Sequence, residues 1–157
     1  MKINSTEIKN IEPIKTIAIS HSGDYSRIGN VFEKLAVWAG ANNLWIASPK
    51  MAGVYHDDPM DISIEKLRSE ACLEDLSGIE PGVGMKRYTI SGGKYFVMQV
   101  EVTMAEYGEA WKKVYAIVNE KDYECDTRDH YELYVSCAGD TQDADAPWVV
   151  DLCIPVK

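Results

Sequence analysis

The feature that most constrains this chain is a correspondence between its two halves at a constant offset of 79 positions. The matching pairs are Lys15 with Lys94, Gly29 with Gly108, Phe32 with Trp111, Lys34 with Lys113, and Tyr55 with Tyr134. Near the end of each half the offset becomes 81, which pairs Glu70 with Asp151 and Cys72 with Cys153. Matches that keep their order and offset indicate a duplicated unit, although each match alone is weak and chance alignment is the alternative.

Both halves show the same order of hydrophobic patterns, which predicts strand, helix, strand, strand. In the first half the strands are predicted at 15–20, 51–56 and 69–75, and the helix at 24–39, with Asp24 as its cap and Gly40 as its stop. In the second half the strands are predicted at 94–102, 131–137 and 148–156, with a helix from Tyr107 to Val118. A further strand at 85–90 is predicted to form a hairpin with 94–102 through the turn Ser91-Gly92-Gly93.

These patterns predict an α+β fold in a single domain that covers residues 1–157. Repeat 1 spans about 14–75, a Gly- and Pro-rich linker about 76–84, and repeat 2 about 85–156. Two βαββ units related by a pseudo-twofold would form an antiparallel sheet with both helices on one face and a ligand groove on the other. Tyr55 and Tyr134 would then occupy equivalent positions in that groove.

The charge of −9 disfavours direct binding to nucleic acid, because neutralising phosphates requires clustered Lys and Arg. The same acidity either serves solubility or favours a cationic ligand or a basic protein partner. The first residues lack the apolar run of a signal peptide, and no stretch reaches the length of a transmembrane helix. We therefore expect a cytoplasmic protein that does not associate with membranes.

The distribution of cysteine and histidine disfavours a metal site. The four cysteines show no Cys-x-x-Cys spacing and the three histidines are scattered, so no metal and no cofactor are predicted. Cys72, Cys137 and Cys153 fall in strand-like runs and are predicted to be buried thiols.

The stretch Tyr131-Glu132-Leu133-Tyr134 resembles a strand that carries a carboxylate among aromatic rings. Alternation along a strand places Glu132 and Tyr134 on one face. Removing a carboxylate from water is costly unless a positive or hydrogen-bonding group meets it. That group is either a structural partner within the protein or a bound ligand.

Several segments together carry a family resemblance that extends from about Ile14 to Val156. They are Tyr55-His56-Asp57-Asp58-Pro59, the run from Glu65 to Glu70, Gly92-Gly93-Lys94-Tyr95, the helix around Trp111, Tyr131-Glu132-Leu133-Tyr134, and Trp148-Val149-Val150-Asp151-Leu152. In this order and spacing the chain resembles the GyrI-like proteins. The resemblance implies a groove built by two βαββ repeats that binds hydrophobic and often cationic small molecules. It also implies that the acid of the aromatic-Glu-x-Tyr strand, here Glu132, contacts the positive charge of the ligand.

The family resemblance also frames the alternatives for function. Family members include effector-binding halves of multidrug-responsive transcription activators, stand-alone proteins named for inhibition of DNA gyrase, and hydrolases of cyclopropane-bearing alkylating compounds. No helix-turn-helix precedes the resemblance, so we expect a stand-alone protein that captures hydrophobic, cationic xenobiotics. The alternatives are a cyclopropanoid hydrolase in which Glu132 orients or activates water as the catalytic residue, and a protein that interacts with DNA gyrase.

The predicted ligand-binding residues combine the anchoring acid with aromatic side chains and a second acid. They are Glu132, Tyr134, Tyr55, Trp38, Tyr95, Glu70 and Trp111. Each has a structural alternative: the tyrosines could pack across strands, Trp111 could lie in the core, and Glu70 could lie on a solvated outer face.

Overall fold

The computed structural model describes residues 1–136 and 147–157, in which the chain forms eight β-strands and two α-helices. The strands are β1 (Lys2–Ile11), β2 (Ile14–Ser22), β3 (Met51–Tyr55), β4 (Arg68–Glu74), β5 (Lys86–Ile90), β6 (Gly93–Val102), β7 (His130–Ser136) and β8 (Trp148–Pro155). The helices are α1 (Gly29–Ala41) and α2 (Tyr107–Glu120). The α+β class with antiparallel strands is therefore confirmed.

The predicted elements are present, with small differences at their ends. Strand β1 was not expected. Helix α1 begins at Gly29, after a separate 3-10 turn, and Asp24 caps that turn by accepting a hydrogen bond from the Ser26 backbone N–H at 2.9 Å. Gly40 lies inside the last turn of α1 and does not stop it.

The chain divides into two compact units, each with four antiparallel strands and one α-helix. Unit 1 comprises Met1–Glu12 and Gly92–Lys157, and unit 2 comprises Pro13–Ser91. In unit 2 the strand order is β3-β4-β2-β5, and in unit 1 it is β1-β6-β8-β7. The two orders are the same when β5 is matched with β1, β2 with β6, β4 with β8, and β3 with β7.

Each helix packs on one face of the sheet in its own unit. In unit 1, Ala110, Val114 and Val118 of α2 lie in one apolar cluster with Met98 and Leu152 of the sheet, among others. In unit 2 the cluster contains Ile28, Leu35, Ala39, Ala71 and Leu73. Such one-sided apolar faces are what bind a helix to a sheet, and burying each large aliphatic side chain contributes roughly 1.5–3 kcal/mol.

Equivalent positions in the two units make equivalent polar contacts. Ser20 of β2 lies opposite Glu70 of β4, and its hydroxyl donates to the carboxylate at 2.7 Å. Gln99 of β6 lies opposite Asp151 of β8, and its amide donates to that carboxylate at 3.1 Å. These contacts are what a duplicated unit would produce, while the duplication itself stays a prediction.

The predicted hairpin between 85–90 and 94–102 is wrong. Strand β5 pairs with β2, placing Ile90 opposite Ile14, and the edge of β6 is taken by β1. Polar contacts fix β5 in unit 2: the Thr16 hydroxyl donates to the Tyr88 carbonyl at 2.6 Å, and the ammonium of Lys86 lies 3.0 Å from the Glu70 carboxylate. A Gly-rich turn permits reversal of the chain but does not choose the edge on which a strand pairs.

Glu70 is buried, at 5% exposure, so its predicted alternative on a solvated face is wrong. Its carboxylate accepts hydrogen bonds from Ser20 and Lys86 and lies 3.2 Å from the His56 ring. Burial by itself would raise the pKa of Glu70, but the contacts with His56, Ser20 and Lys86 outweigh burial and lower that pKa to about 2. Glu70 is therefore a structural ion-pair residue that ties β5 to its sheet.

The remaining expectations concern the cysteines and membrane association. Cys72 and Cys153 are buried as predicted, whereas Cys137 lies outside the described residues. None of the helices in residues 1–136 and 147–157 is long and apolar enough to cross a bilayer. The cytoplasmic location stays a prediction.

Replacing Glu70 with Gln is expected to destabilise the protein by about 2–3 kcal/mol at neutral pH, because the folded state holds the pKa of this carboxyl well below its value of 4.5. A lowered folded pKa gives stability that is present above the unfolded pKa and is lost as the pH falls from about 4.5 toward about 2. Urea denaturation at pH 7 and pH 3 measures this, and the gap between the wild-type protein and Glu70→Gln should shrink at pH 3.

The matched control for this measurement is Glu80→Gln. The Glu80 side chain is 93% exposed and lies 3.6 Å from Arg87, so we expect its loss to change the unfolding free energy by no more than about 0.5 kcal/mol. Equal effects of the two substitutions would contradict a structural role for Glu70.

Candidate functional site

Glu132 lies in the interior of unit 1, on the face of the sheet that α2 covers. It pairs with Leu152 of β8, which belongs to the same apolar cluster as the α2 residues, and its exposed fraction is 2%. Tyr134, two residues along β7, packs against the same cluster. In unit 2, Tyr55 likewise packs against the cluster that contains α1 residues.

The groove predicted on the helix-free face is therefore misplaced for these residues. Alternation correctly puts Glu132 and Tyr134 on one face of β7. It cannot say which face the helix covers, because that depends on how the apolar side chains of neighbouring strands combine. Glu132 and Tyr134 therefore lie on the face that α2 covers, where Trp111 of α2 contacts Glu132.

Two neutral donors hold the Glu132 carboxylate. The indole N–H of Trp111 on α2 donates to Oε2 at 3.2 Å, and the Tyr134 hydroxyl donates to Oε1 at 2.6 Å. Hydrogen bonds to an ionised acceptor are stronger than those between neutral groups, and they fix both oxygens in space. The indole and the phenol satisfy hydrogen-bonding capacity on both oxygens and bring no positive charge of their own.

Further aromatic rings surround this carboxylate. Tyr107 lies one helical turn before Trp111, and its pKa is raised by burial and further by the negative charge of Glu132. The Tyr134 ring meets Trp148 of β8 edge to face, with 5.9 Å between centroids. Unit 1 thus presents an anionic centre among half-buried aromatic side chains.

Of the predicted site residues, the structure brings together Glu132, Tyr134 and Trp111. Tyr107 and Trp148 belong to the same neighbourhood but were not predicted as site residues. The signal for Tyr107 was present as a spacing of four from Trp111, which places both on one side of a helix. The same pattern is typical of core packing, so the spacing alone does not identify Tyr107 as a site residue.

Tyr55 and Trp38 lie in unit 2. The Tyr55 ring meets Tyr25 edge to face at 4.8 Å, and both Tyr55 and Trp38 pack against the α1 cluster. Trp38 lies so close to Gly82 that a Cβ there would come within 2.6 Å of its indole nitrogen. Their role as ligand contacts stays a prediction.

Tyr95 lies on the opposite face of the unit 1 sheet from Glu132 and is fully buried. Its hydroxyl donates to the Asp129 carbonyl at 3.1 Å, its ring meets Tyr131 edge to face, and the Arg128 guanidinium lies 5.0 Å from its centroid. Because these contacts are internal, we leave Tyr95 out of the site. We also leave out Glu70, which is held by its own ion pairs.

An open apolar cavity of about 310 Å³ lies in unit 2, away from the residues singled out by sequence. Its floor includes Ile17 and Leu73, and its rim carries Glu74 and Asp75. Both rim acids already bind local groups: Glu74 accepts the Lys50 backbone N–H, and Asp75 pairs with Arg87. Glu132 is therefore the stronger candidate for a functional site.

Over residues 1–136 and 147–157, no group of three or more His, Cys, Asp or Glu side chains is placed to hold a metal ion. What the Glu132 site can do is electrostatic and aromatic. It can attract a positive charge, stack flat rings, and hold a water or a proton donor against a fixed carboxylate.

Comparison with known proteins agrees with this description. The sequence model of the GyrI-like small molecule binding domain matches residues 5–157. A DNA gyrase inhibitor of Pectobacterium carotovorum is 30% identical over 140 residues, which cover 86% of this chain and 88% of that protein.

Solved structures share the fold at low sequence identity. The C-terminal domain of EcmrR superposes with a TM-score of 0.72 at 16% identity, covering 100% of this chain and 99% of that one. A hydrolase from Listeria innocua gives 0.67 at 10% identity, covering 100% and 94%. The protein SAV2435, bound to tetraphenylphosphonium, gives 0.60 at 12% identity, covering 98% and 94%. The match over nearly the whole sequence, together with the curated relative, establishes that this chain belongs to the GyrI-like small-molecule-binding family.

Proposed function

We propose that this protein captures hydrophobic, cationic small molecules, of the kind found among xenobiotics, with Glu132 as the anchor for their positive charge. The observation that carries the proposal is a carboxylate only 2% exposed that is held by an indole N–H and a phenol O–H. Its family binds small molecules, and the similar fold of SAV2435 carries tetraphenylphosphonium, a lipophilic cation.

The electrostatic part of the argument concerns the state of the carboxylate. A buried anion interacts with an approaching cation more strongly than an exposed one, because the protein around it screens charge less than water does. The hydrogen bonds from Trp111 and Tyr134 stabilise the anion and fix its position, so less free energy is spent on ordering it when the ligand arrives.

The aromatic part concerns the groups around the charge. A cation over an aromatic face gains about 0.5–2 kcal/mol, and a delocalised cation with apolar substituents also gains from burying its own surface. Trp111, Tyr134 and Trp148 are only partly buried and supply such faces. A small hydrated cation would gain little here, so the site favours large lipophilic ones.

Replacing Glu132 with Gln is expected to weaken tetraphenylphosphonium binding by on the order of ten- to a hundredfold, while a neutral analogue, triphenylphosphine oxide, changes less than about threefold. The amide keeps the shape and removes the charge: its oxygen can accept from the Trp111 N–H, and its NH2 group can donate to the Tyr134 hydroxyl oxygen. Isothermal titration calorimetry of both ligands at pH 7.5 provides the comparison.

The matched control is Asp151→Asn, which removes one negative charge from the neighbouring strand on the opposite face of the same sheet. This variant should bind tetraphenylphosphonium as the wild-type protein does. An equal loss for the cation and the neutral analogue in Glu132→Gln would refute the anchor role.

A second candidate is hydrolysis of a cyclopropane ring conjugated to a carbonyl, which the similar fold of a Listeria innocua hydrolase favours. Glu132 would take a proton from water as the water oxygen bonds to a ring carbon. The electron pair of the broken C–C bond would pass to the conjugated carbonyl, which then takes up a proton. Both carboxylate oxygens already accept hydrogen bonds, which suits a fixed anion better than a base, so we rank this candidate second.

Mass spectrometry of such a cyclopropane compound distinguishes capture from turnover. A binding protein leaves the compound intact in amounts up to its own concentration, whereas a hydrolase adds one water over many turnovers and loses about a hundredfold in rate when Glu132 is Gln. A rate equal to that in buffer alone excludes the hydrolase.

A third candidate is interaction with DNA gyrase, which the name of the Pectobacterium carotovorum relative favours. If the acidic surface acts on gyrase, excess protein should inhibit supercoiling of relaxed plasmid, and the inhibition should weaken with rising salt. Unchanged supercoiling at low salt with protein in large excess would remove this candidate.

A further inference from the structure

A second polar pair lies on the same side of unit 1 as Glu132. Tyr115 follows Trp111 by one turn of α2, and His130 precedes Glu132 by two residues on β7. The Tyr115 hydroxyl oxygen lies 2.7 Å from His130 Nδ1, and their rings are 5.9 Å apart at 33°. The pair therefore repeats, one step along helix and strand, the contact that Trp111 makes with Glu132.

The hydrogen bonds define the tautomer of the neutral His130 ring. Its Nε2 lies 3.2 Å from the Asp126 backbone carbonyl, which can only accept, so Nε2 carries the hydrogen. In the neutral ring Nδ1 is then the acceptor, and the Tyr115 O–H donates to it. This tautomer follows from the hydrogen-bond network.

Tyr115 is also connected to the Glu132 centre through Trp111. The Tyr115 and Trp111 rings lie 5.9 Å apart at 32°, and the Trp111 indole N–H donates to Glu132. One helical turn advances about 5.4 Å and two strand residues about 6.6 Å. The Tyr115 ring therefore lies beside the Trp111 ring, one helical turn farther from Glu132, and the side chain is 40% exposed.

We propose that Tyr115 is a further ligand-contacting residue of the Glu132 site, and that His130 is the positioning residue that orients and polarises it. The proposal rests on the proposed function and specifies its ligand class. The site would take aromatic cations large enough to reach from Glu132 across Trp111 to Tyr115, in preference to compact alkylammonium ions.

The physical reason lies in the direction of the Tyr115–His130 hydrogen bond. A phenol that donates to an imidazole carries more negative charge on its oxygen and ring, which strengthens attraction of a cation to the ring face. The arrangement requires neutral His130. If His130 takes up a proton, Nδ1 becomes a donor, the polarisation reverses, and a positive charge stands beside the ligand.

The surroundings of His130 favour its neutral form. Burial lowers the pKa of this imidazole below its usual 6.5, while the Asp126 carbonyl and the charge of Asp129 act in the opposite direction. The groups around the ring are Tyr115 from α2, Asp126 and Asp129 from the segment before β7, and Glu132 along β7. His130 is therefore neutral at pH 7.5, and it takes up a proton only below pH 6.5.

Calorimetric titration of tetraphenylphosphonium into four proteins tests the ligand contact. At pH 7.5 we expect Tyr115→Leu to weaken binding by roughly three- to thirtyfold, the range of one cation–π contact. Tyr115→Phe should fall between Tyr115→Leu and the wild-type protein, because it keeps the ring without the polarising bond. The control is Tyr123→Leu, which removes a ring that packs against Phe96 outside the Tyr107–Trp111–Tyr115 stripe and should leave affinity unchanged.

The pH profile tests the positioning role of His130. The affinity of the wild-type protein for tetraphenylphosphonium, whose charge does not titrate, should fall as the pH is lowered below 6.5 and His130 takes up a proton. His130→Gln can still accept from Tyr115 and donate to Asp126 but does not titrate, so its profile should be flat. Triphenylphosphine oxide should show no such fall with either protein.

Two results would overturn the proposal: Tyr115→Leu binding the cation as tightly as Tyr123→Leu, or a pH-dependent fall that persists in His130→Gln. Thermal melts of each variant without ligand separate loss of folding from loss of contact, and Tyr115→Phe keeps the test valid if Tyr115→Leu is unfolded. If the proposed anchoring of cations by Glu132 is itself wrong, Glu132→Gln will leave the affinity for tetraphenylphosphonium unchanged. If Glu132→Gln weakens the cation selectively and Tyr115→Leu does not, this inference alone fails.

Discussion

A carboxylate removed from water must be compensated, and this constraint organises both units of the protein. Among the described residues the buried charged side chains are Glu70 and Glu132, one in each unit. Glu70 ties β5 to its sheet through Lys86, and Glu132 ties α2 to β7 through Trp111. The compensation differs in kind, because Glu70 has an ammonium beside it, whereas Glu132 receives hydrogen bonds from an indole and a phenol that carry no charge. The Glu70 carboxylate is thereby held by ion pairs within its own unit, while the Glu132 carboxylate is the one for which we propose a role in recognition.

The two units share a strand order but not the chemistry of the helix-covered face. At the offset of 79, Glu132 corresponds to Gly53, His130 to Met51, and Trp111 to Phe32. These three polar groups of the unit 1 surface are thus replaced in unit 2 by apolar ones, whereas Tyr134 corresponds to Tyr55. Equivalent backbones need equivalent apolar packing between helix and strands, which Val114 and Leu35 supply at corresponding positions of the two helices. This apolar packing does not require the polar groups of Glu132, His130 and Trp111. Charge and hydrogen bonding on this face are therefore free to differ between the units.

Local periodicity predicted much of this structure because strands and helices are set by short-range patterns. The positions of β2 to β8 and of α2 follow from it, as does the shared face of Glu132 and Tyr134. The partners of β5 and β1 could not be predicted. Either strand fits the edge of a sheet, and the pairing of β5 with β2 and of β1 with β6 depends on tertiary contacts such as that of Lys86 with Glu70. The face covered by α2 and the burial of Tyr95 depend in the same way on the register between β6 and β8. The contact between Tyr115 and His130 could not be predicted, because the two residues lie on different elements and an aromatic stripe on a helix is usually core.

The division of the chain between the units has a consequence for the order in which the protein folds during synthesis. Unit 2 is one continuous segment, Pro13–Ser91, and has all its strands once that segment has left the ribosome. Strand β1 emerges before it, yet its partner β6 is made only afterwards, so β1 must stay unpaired while the whole of unit 2 is synthesised. Nine of its ten residues are exposed even in the folded protein, and charged side chains such as Lys2, Glu7 and Lys9 are distributed along it. A strand of this composition can remain unpaired without recruiting other chains, which suits it to be made well before its partner and to dock late.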